Sequence, residues 1–512
     1  MPGPDHAVLL QEWLHLAASR HPDHPAVVES ERVLTLRQLQ ERSSSLAAAF
    51  RRRGVEPGDR VALLMEKSAA AVVAVYGTLM AGAAFVPIPP EWPRRRIDTV
   101  LEDCDARLVV ADPQGETGDA PSVIDRRSGA TLSWREALTT ESREGRADDR
   151  TPDDPAFILF TSGSSGPPKG VTISHRAVGA FVDWSAGQFR LSADDRIVCP
   201  SPLSFDLSTF DVFNIARSGS TCVIAPRAAT WVPRLVLELA REHEATVWYS
   251  VPSLLVNMMD KAGLERAPLS RLRVMLFAGE VMPPREAARL RAAHPQAELY
   301  NLYGPTETNV VTWHRLGAEV DPGRPVPIGQ PCPYARVRLE PTADDPGGGP
   351  APGLLLVAGE SLMSGYWNRP QETARAFAEV DEGGGSSRYY RTGDRVVREP
   401  GGELLFLGRA DRQVKRRGYR VELGEIEAAL GTHPGVAEVA VIAAADGSGR
   451  LSAFVCPRGR EAPGELELRA HCALLLPPYM IPDRFLVLPE IPRGDRGKID
   501  YHSLARLEQS AT

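Results

Sequence analysis

Phe157–Ile173 reads FILFTSGSSGPPKGVTI: an apolar run, a segment of Gly, Ser, Pro and one Lys, then a second β-branched run. Two short strands flanking a glycine-rich turn present backbone N–H groups and hydroxyls at the end of a sheet, an arrangement that holds an anion. Gly163, Gly166 and Gly170 permit close backbone approach, Thr161, Ser162, Ser164 and Ser165 add hydroxyls, and Lys169 adds a point charge. The segment does not match GxxxxGK[ST], because Gly170 follows the lysine. Only five of the 59 basic residues are Lys, at 67, 169, 261, 415 and 498. A chain this rich in Arg keeps Lys where a compact charge on a flexible stem serves better than a planar fork. Lys169, Lys415 and Lys498 lie in Gly-rich or turn-rich segments, whereas Lys67 and Lys261 lie in helix-like sequence.

Around this segment, helical stretches alternate with short apolar runs. A helix is expected at Val8–Ser19, and strands at Val61–Leu64, Phe85–Ile88, Leu108–Ala111, Phe157–Thr161, Val171–Ile173, Thr221–Ile224, Thr246–Ser250, Val274–Phe277 and Leu299–Leu302. That alternation predicts an α/β fold whose layered subdomains hold mostly parallel sheets. Pro341–Gly353, Glu382–Ser387 and Arg146–Pro155 read as loops or polar lead-ins. After Gly408 the pattern becomes α+β: a charged segment at Arg409–Arg420, helices at Gly424–Leu430 and Leu466–Leu475, and strands at Val436–Ala443, Leu451–Val455 and Arg484–Leu488. The expected organisation is therefore a large N-terminal domain, 1–410, and a small C-terminal domain, 411–512, near the usual domain size.

The 512 residues are 43% hydrophobic and carry a formal net charge of −7, which argues against a nucleic-acid or membrane-surface role. The six cysteines are scattered, with no CxxC, and read as small buried hydrophobes in a reducing compartment. The N-terminus shows no basic start followed by an apolar run, so a cytoplasmic protein is expected. Ser68–Pro90 is uncharged, but its glycines and prolines favour a buried helix followed by a strand over a membrane span.

Three further segments carry chemistry. Tyr300–Thr308 (YNLYGPTET) places Glu307 after a strand and a Gly-Pro turn, where ligands collect in open α/β sheets. That carboxylate suits Mg²⁺, which takes one or two carboxylates plus phosphate oxygens. Arg391–Asp394 (RTGD) sets a second carboxylate in a tight turn, and Gly408–Glu427 reads GRADRQVKRRGYRVELGEIE.

Taken in order with LTLRQL at Leu34–Leu39, AGAAFVPIPP at Ala81–Pro90, FDLS at Phe205–Ser208, GYWNRP at Gly365–Pro370, LPPYMIP at Leu476–Pro482 and GKID at Gly497–Asp500, these motifs cover nearly the whole chain. The chain resembles the adenylate-forming enzymes, and within them the stand-alone amino-acid adenylation domains of nonribosomal peptide synthesis. GLLLVAGESLMSGYW is looser than the family's usual Gly-Glu-Leu opening at that place. The resemblance implies that a carboxylic acid reacts with ATP to give an acyl-adenylate and pyrophosphate, and that the acyl group then passes to a thiol. It implies that Thr161–Gly170 cradles the β- and γ-phosphates, that Tyr303 stacks on adenine with Thr306 beside the nucleotide, and that Glu307 binds Mg²⁺. Asp394 and Arg409 would hold the ribose. Lys498 would reach the substrate carboxylate and α-phosphate from a small mobile domain hinged at Asp411, with Lys415 and Gly418 serving in catalysis, Gly418 in the thioester step.

The same resemblance assigns Asp206 to the substrate's ammonium group, because a carboxylate on a pocket wall calls for a cation. The alternative for Asp206 is a helix cap before Leu207–Ile215. The other implied pocket positions are Leu207, Phe210, Ser253, Leu276, Ala278, Leu302, Val310 and Val311, apolar apart from the serine. They suit a small neutral amino acid, proline first and alanine second; a β-amino acid or other non-proteinogenic one, or an acyl- or aryl-CoA ligase, are the alternatives. No carrier-protein or condensation motif is evident, so the resemblance implies loading of the phosphopantetheine of a separate carrier protein in trans.

Overall fold

The runs that alternate along the chain form two parallel-centred sheets, each continued at its edges by antiparallel strands. The computed structural model describes residues 9–112, 120–141, 150–163, 166–226, 232–341, 351–383, 385–444, 449–459, 462–494 and 498–510. Ser164, Ser165, residues 342–350 of the loop expected at 341–353 and residues 146–149 of the lead-in expected at 146–155 lie outside the described residues. The chain divides into two units, the first comprising Met1–Pro90, Cys104–Leu159 and Gly170–Ala410, the second Glu91–Asp103, Phe160–Lys169 and Asp411–Thr512.

In the nine-stranded sheet, Glu298–Tyr303, Val274–Ala278, Val247–Ser250, Arg196–Val198, Thr221–Val223 and Pro25–Glu29 run parallel in that spatial order. Thr312–Arg315 and Arg32–Thr35 flank them antiparallel. Strands buried on both faces read as continuous apolar runs, which is why four of these are expected from the sequence; Arg196–Val198 and Pro25–Glu29 are not. Their side chains alternate between two cores: Tyr249, Leu276, Ala278, Tyr300 and Leu302 enter one, and Trp248, Met275, Phe277 and Leu299 the other. The eight-stranded sheet is built around Leu108–Ala111, Arg60–Leu64, Ala84–Ile88 and Pro155–Gly163, all parallel.

Ser68–Pro90 folds as expected into a buried helix, Ala69–Ala81, and the strand Ala84–Ile88. Ser68 caps the helix start, and Gly82, at φ 95°, ends it in the left-handed region glycine favours. Among the described residues no helix is long and apolar enough to cross a membrane. All six cysteines are buried and free.

The structure adds a five-stranded antiparallel sheet from Ala335–Pro341, Gly353–Gly359, Phe377–Asp381, Ser386–Arg398 and Leu404–Arg409. The RTGD segment expected as a tight turn lies inside the strand Ser386–Arg398. Its pairing shifts from Leu356 opposite Arg391 to Leu354 opposite Arg395, so Thr392–Asp394 bulge, with Gly393 at φ 75°. Ser386 and Ser387, expected in a loop, also belong to this strand.

In the second unit the charged Arg409–Arg420 stretch becomes a hairpin, Gln413–Arg416 paired with Tyr419–Glu422. Arg417 and Gly418 form its two-residue turn, both at positive φ, as a type I′ turn requires. Beyond it, Val436–Ala443, Leu451–Pro457 and Arg484–Val487 form a sheet with the helices Leu423–Gly431, Glu465–Leu475 and Tyr501–Ser510.

Candidate functional site

The parallel strands of the nine-stranded sheet bring three of the expected pocket positions, Leu276, Ala278 and Leu302, onto one face. Leu276 lies opposite Tyr249 on one side and Tyr300 on the other, and Ala278 lies opposite Leu302. The helix Ser208–Ser218 lays Phe210 against this face, its ring centroid 5.3 Å from Tyr249 and 6.2 Å from Phe189, both edge-on. Leu207, Val310 and Val311 are buried in the same core. Ser253, half-buried, stands in the first turn of the helix Pro252–Ala262, and its N–H donates to Glu280 Oε2 at 2.9 Å. Glu280 is thus a carboxylate beside the pocket positions that the sequence reading did not name; its bond satisfies a donor that helix geometry leaves open.

Asp206 is half-buried just before the Ser208–Ser218 helix. The N-cap position of this helix is Leu207, whose side chain makes no cap. Burial, and then the Asp206 charge, push the Tyr249 phenol well above its ordinary value. Thr209 Oγ1 donates to the Asp206 backbone oxygen at 2.6 Å and accepts from Asn309 Nδ2 at 3.4 Å. Asn309 Oδ1 accepts the Val310 N–H at 2.6 Å, so a chain of polar contacts ties the Asp206 turn to the Val310 wall.

The strand Glu298–Tyr303 ends in the Gly304–Glu307 turn. A Cβ at Gly304 would meet the Asn309 carbonyl oxygen at 1.6 Å, so only glycine fits the turn. Thr306 is half-buried there, and Glu307 is fully buried. Tyr366 donates its hydroxyl to Glu307 Oε1 at 2.8 Å, and the Met363 N–H donates to the Glu307 backbone oxygen at 2.8 Å. Tyr366 is a second group missed in the sequence, since only the fold brings it to Glu307.

Asp394 is buried opposite Arg409 across the antiparallel sheet, with Arg409 Nη1 at 2.6 Å from Oδ1. Tyr303 donates its hydroxyl to the other Asp394 oxygen. Burial, and then Asp394, raise the Tyr303 phenol well above its ordinary value and keep it protonated as that donor. Tyr303, Asp394 and Arg409, far apart in sequence, thus form one buried cluster.

In the second unit, Thr161, Ser162 and Gly163 close the strand Pro155–Gly163, and Gly166 and Lys169 lie in the strand Gly166–Ser174. Ser162 is buried and its hydroxyl donates to the Arg420 backbone oxygen at 2.9 Å. Glu425 pairs with the buried Arg96 and accepts the Gly163 N–H. Its carboxyl is nevertheless pushed above the ordinary range, chiefly by burial. Lys415, Asp411 and Lys498 are exposed, and the Gly494 N–H donates to the Lys498 backbone oxygen at 2.8 Å.

For Mg²⁺ the donor chemistry fits: Glu307 offers a hard oxygen at a strand end. Among the described residues no three His, Cys, Asp or Glu side chains gather into a metal cage, so an ion here would lean on phosphate oxygens, as magnesium does.

The AMP-binding enzyme family matches residues 14–367, and the AMP-binding enzyme C-terminal domain matches residues 425–498. The chain is 36% identical to an L-proline--[L-prolyl-carrier protein] ligase of Pseudomonas fluorescens, over 97% of this chain and 99% of the relative. It is 38% identical to a ligase of the same name from Streptomyces coelicolor, over 95% and 94%. Its fold matches the Vibrio cholerae adenylation domain AlmE, solved with glycyl-adenosine-5'-phosphate, at a TM-score of 0.81 and 26% identity over 98% of each chain. The chain belongs to the AMP-binding enzyme family and is an AMP-forming adenylation enzyme.

Proposed function

We propose that this enzyme activates a small neutral amino acid, proline first and alanine second, and loads it onto the phosphopantetheine thiol of a separate carrier protein. The observation that carries the reading is the half-buried Asp206 at the start of the helix whose Phe210 packs in one core with Leu276, Ala278 and Leu302. The activity named for the Pseudomonas fluorescens and Streptomyces coelicolor relatives supports proline as the first choice.

In this reading Asp206 pairs with the substrate ammonium group, and the apolar wall takes a short uncharged side chain. A substrate carboxylate oxygen attacks the α-phosphorus of ATP; the new O–P bond forms as the bond to the β-phosphate oxygen breaks and pyrophosphate leaves. Lys498 offsets the charge that moves onto the α-phosphate oxygens. Thr161, Ser162, Gly163, Ser164, Ser165, Gly166 and Lys169 hold the leaving phosphates, Tyr303 and Thr306 the adenine, and Asp394 with Arg409 the ribose. Glu307 would hold Mg²⁺, which when bound neutralises phosphate charge. In the second step the carrier thiolate attacks the acyl carbonyl and AMP leaves, with Gly418 serving that step, Lys415 serving in catalysis and Asp411 as the hinge between the two.

Supplying the enzyme with ATP, labelled proline and either a phosphopantetheinylated carrier protein or free CoA tests the acceptor. Label on the carrier protein is expected. Label on CoA alone would replace the reading with that of a CoA ligase, which needs no ammonium-binding carboxylate.

A further inference from the structure

Lys67 lies just ahead of the helix Ala69–Ala81 rather than in helix-like sequence, and its side chain is buried. Its Nζ donates to Asp211 Oδ2 at 2.7 Å, to the Cys199 backbone oxygen at 2.9 Å and to the Ser201 backbone oxygen at 3.1 Å. An ammonium group has three protons to donate, and these three acceptors take all of them. Asp211 has no exposed surface, and its Oδ2 also accepts the Cys222 thiol at 3.1 Å.

The acceptors have a common property: Cys199 and Ser201 lie on one side of the segment 202–210 and Asp211 on the other. That segment carries Asp206, Leu207 and Phe210. One ammonium therefore fastens both ends of the stretch that supplies the proposed ammonium ligand and the pocket floor. Tyr76 fastens the same helix one residue further on, its hydroxyl donating to the Val212 backbone oxygen at 2.9 Å. An Arg at 67 would bring a larger planar fork to a site whose three acceptors converge on one point, which accounts for a lysine in a chain that otherwise prefers arginine.

We propose that Lys67 is a positioning residue for substrate recognition: by fastening residues 199, 201 and 211 it sets where Asp206 and Phe210 meet the amino acid. The inference rests on the proposed amino-acid activation and deepens it. Displacing a binding group by about an ångström is enough to cost on the order of 10²-fold, so loosening this segment acts on the amino acid rather than on ATP.

The test compares wild type, Lys67→Met, and the double variant Lys67→Met/Asp211→Leu in amino-acid-dependent ATP–pyrophosphate exchange, with thermal melts alongside. Lys67→Met leaves Asp211 buried without its cation and is expected to melt early; the double variant removes both charges and is expected to recover the melt. In the recovered double variant the proline KM should rise about 10- to 100-fold while the ATP KM stays within about twofold. A stable double variant with wild-type KM for proline, or with ATP and proline KM raised alike, would overturn the inference and leave Lys67 a folding residue. A double variant that does not recover its melt would overturn it also, since the pair would then serve the core rather than the pocket. Wild type inactive with every amino acid would remove the functional reading itself and the inference with it.

Discussion

Asp206 and Asp394 belong to the same unit, and the protein treats the two carboxylates differently. Asp394 is buried, with Arg409 on one oxygen and the Tyr303 hydroxyl on the other. Asp206 is half-buried, on a turn whose backbone oxygen accepts the Thr209 hydroxyl. Glu307 follows the first pattern, buried with Tyr366 on Oε1, and Lys498 the second, being exposed. Under the proposed function, the buried groups belong to nucleotide handling and the more exposed ones meet the amino acid and the reacting phosphate. Changes to the first kind should disturb stability and nucleotide handling together, and changes to the second should disturb catalysis alone.

The largest effect expected is at Asp206. Asp206→Ala should remove about 3–5 kcal/mol of interaction with a desolvated ammonium group, seen as a proline KM raised by orders of magnitude or as lost exchange. Its melting temperature should hold, and a large fall would move Asp206 into the class of Asp394. Next is Lys498→Ala, expected to slow adenylation about 10²- to 10³-fold while thioester formation from preformed prolyl-adenylate stays near wild type. Equal loss in both half-reactions, measured separately, would contradict its assignment to the first step.

Asp394→Asn should cost about 1.5–3 kcal/mol, the range for a hydrogen bond to a charged group, because Arg409 loses its carboxylate. The ATP KM and the melting temperature should both respond; a change in proline KM alone would erase the contrast. Smallest is Tyr366→Phe, which removes one donor to Glu307 and should cost about 0.5–1.5 kcal/mol. A several-fold shift in the Mg²⁺ concentration for half-maximal exchange is expected, with proline KM unchanged.

The sequence made the half of the site built on parallel strands legible. Runs such as Val274–Ala278 are apolar throughout because both faces are buried, and their alternation with helices points to one architecture. Asp206, Glu307 and Lys498 stood out as polar residues in motifs. The antiparallel sheet of 335–409 did not stand out, because strands such as Ala335–Pro341 (ARVRLEP) mix buried and exposed positions and carry charge. Asp394 is visible, but the glycine beside it makes its bulged strand look like a tight turn. Tyr366, Glu280 and Lys67 were out of reach because their partners, Glu307, Ser253 and Asp211, are distant in sequence, and a lone lysine carries no local sign of burial.

The account stands most directly on amino-acid-dependent ATP–pyrophosphate exchange by the wild-type protein. The panel would hold neutral, aromatic, acidic, basic and β-amino acids, with cyclopentanecarboxylate as the proline analogue lacking nitrogen. The account predicts the highest kcat/KM with proline and measurable activity with alanine. One methylene is worth only about 1–3 kcal/mol in an apolar pocket, so the preference among small neutral side chains should be graded. Cyclopentanecarboxylate should be a poor substrate, since it offers Asp206 no cation. Strongest activity with an aromatic or charged amino acid, or activation of cyclopentanecarboxylate as well as proline, would contradict it.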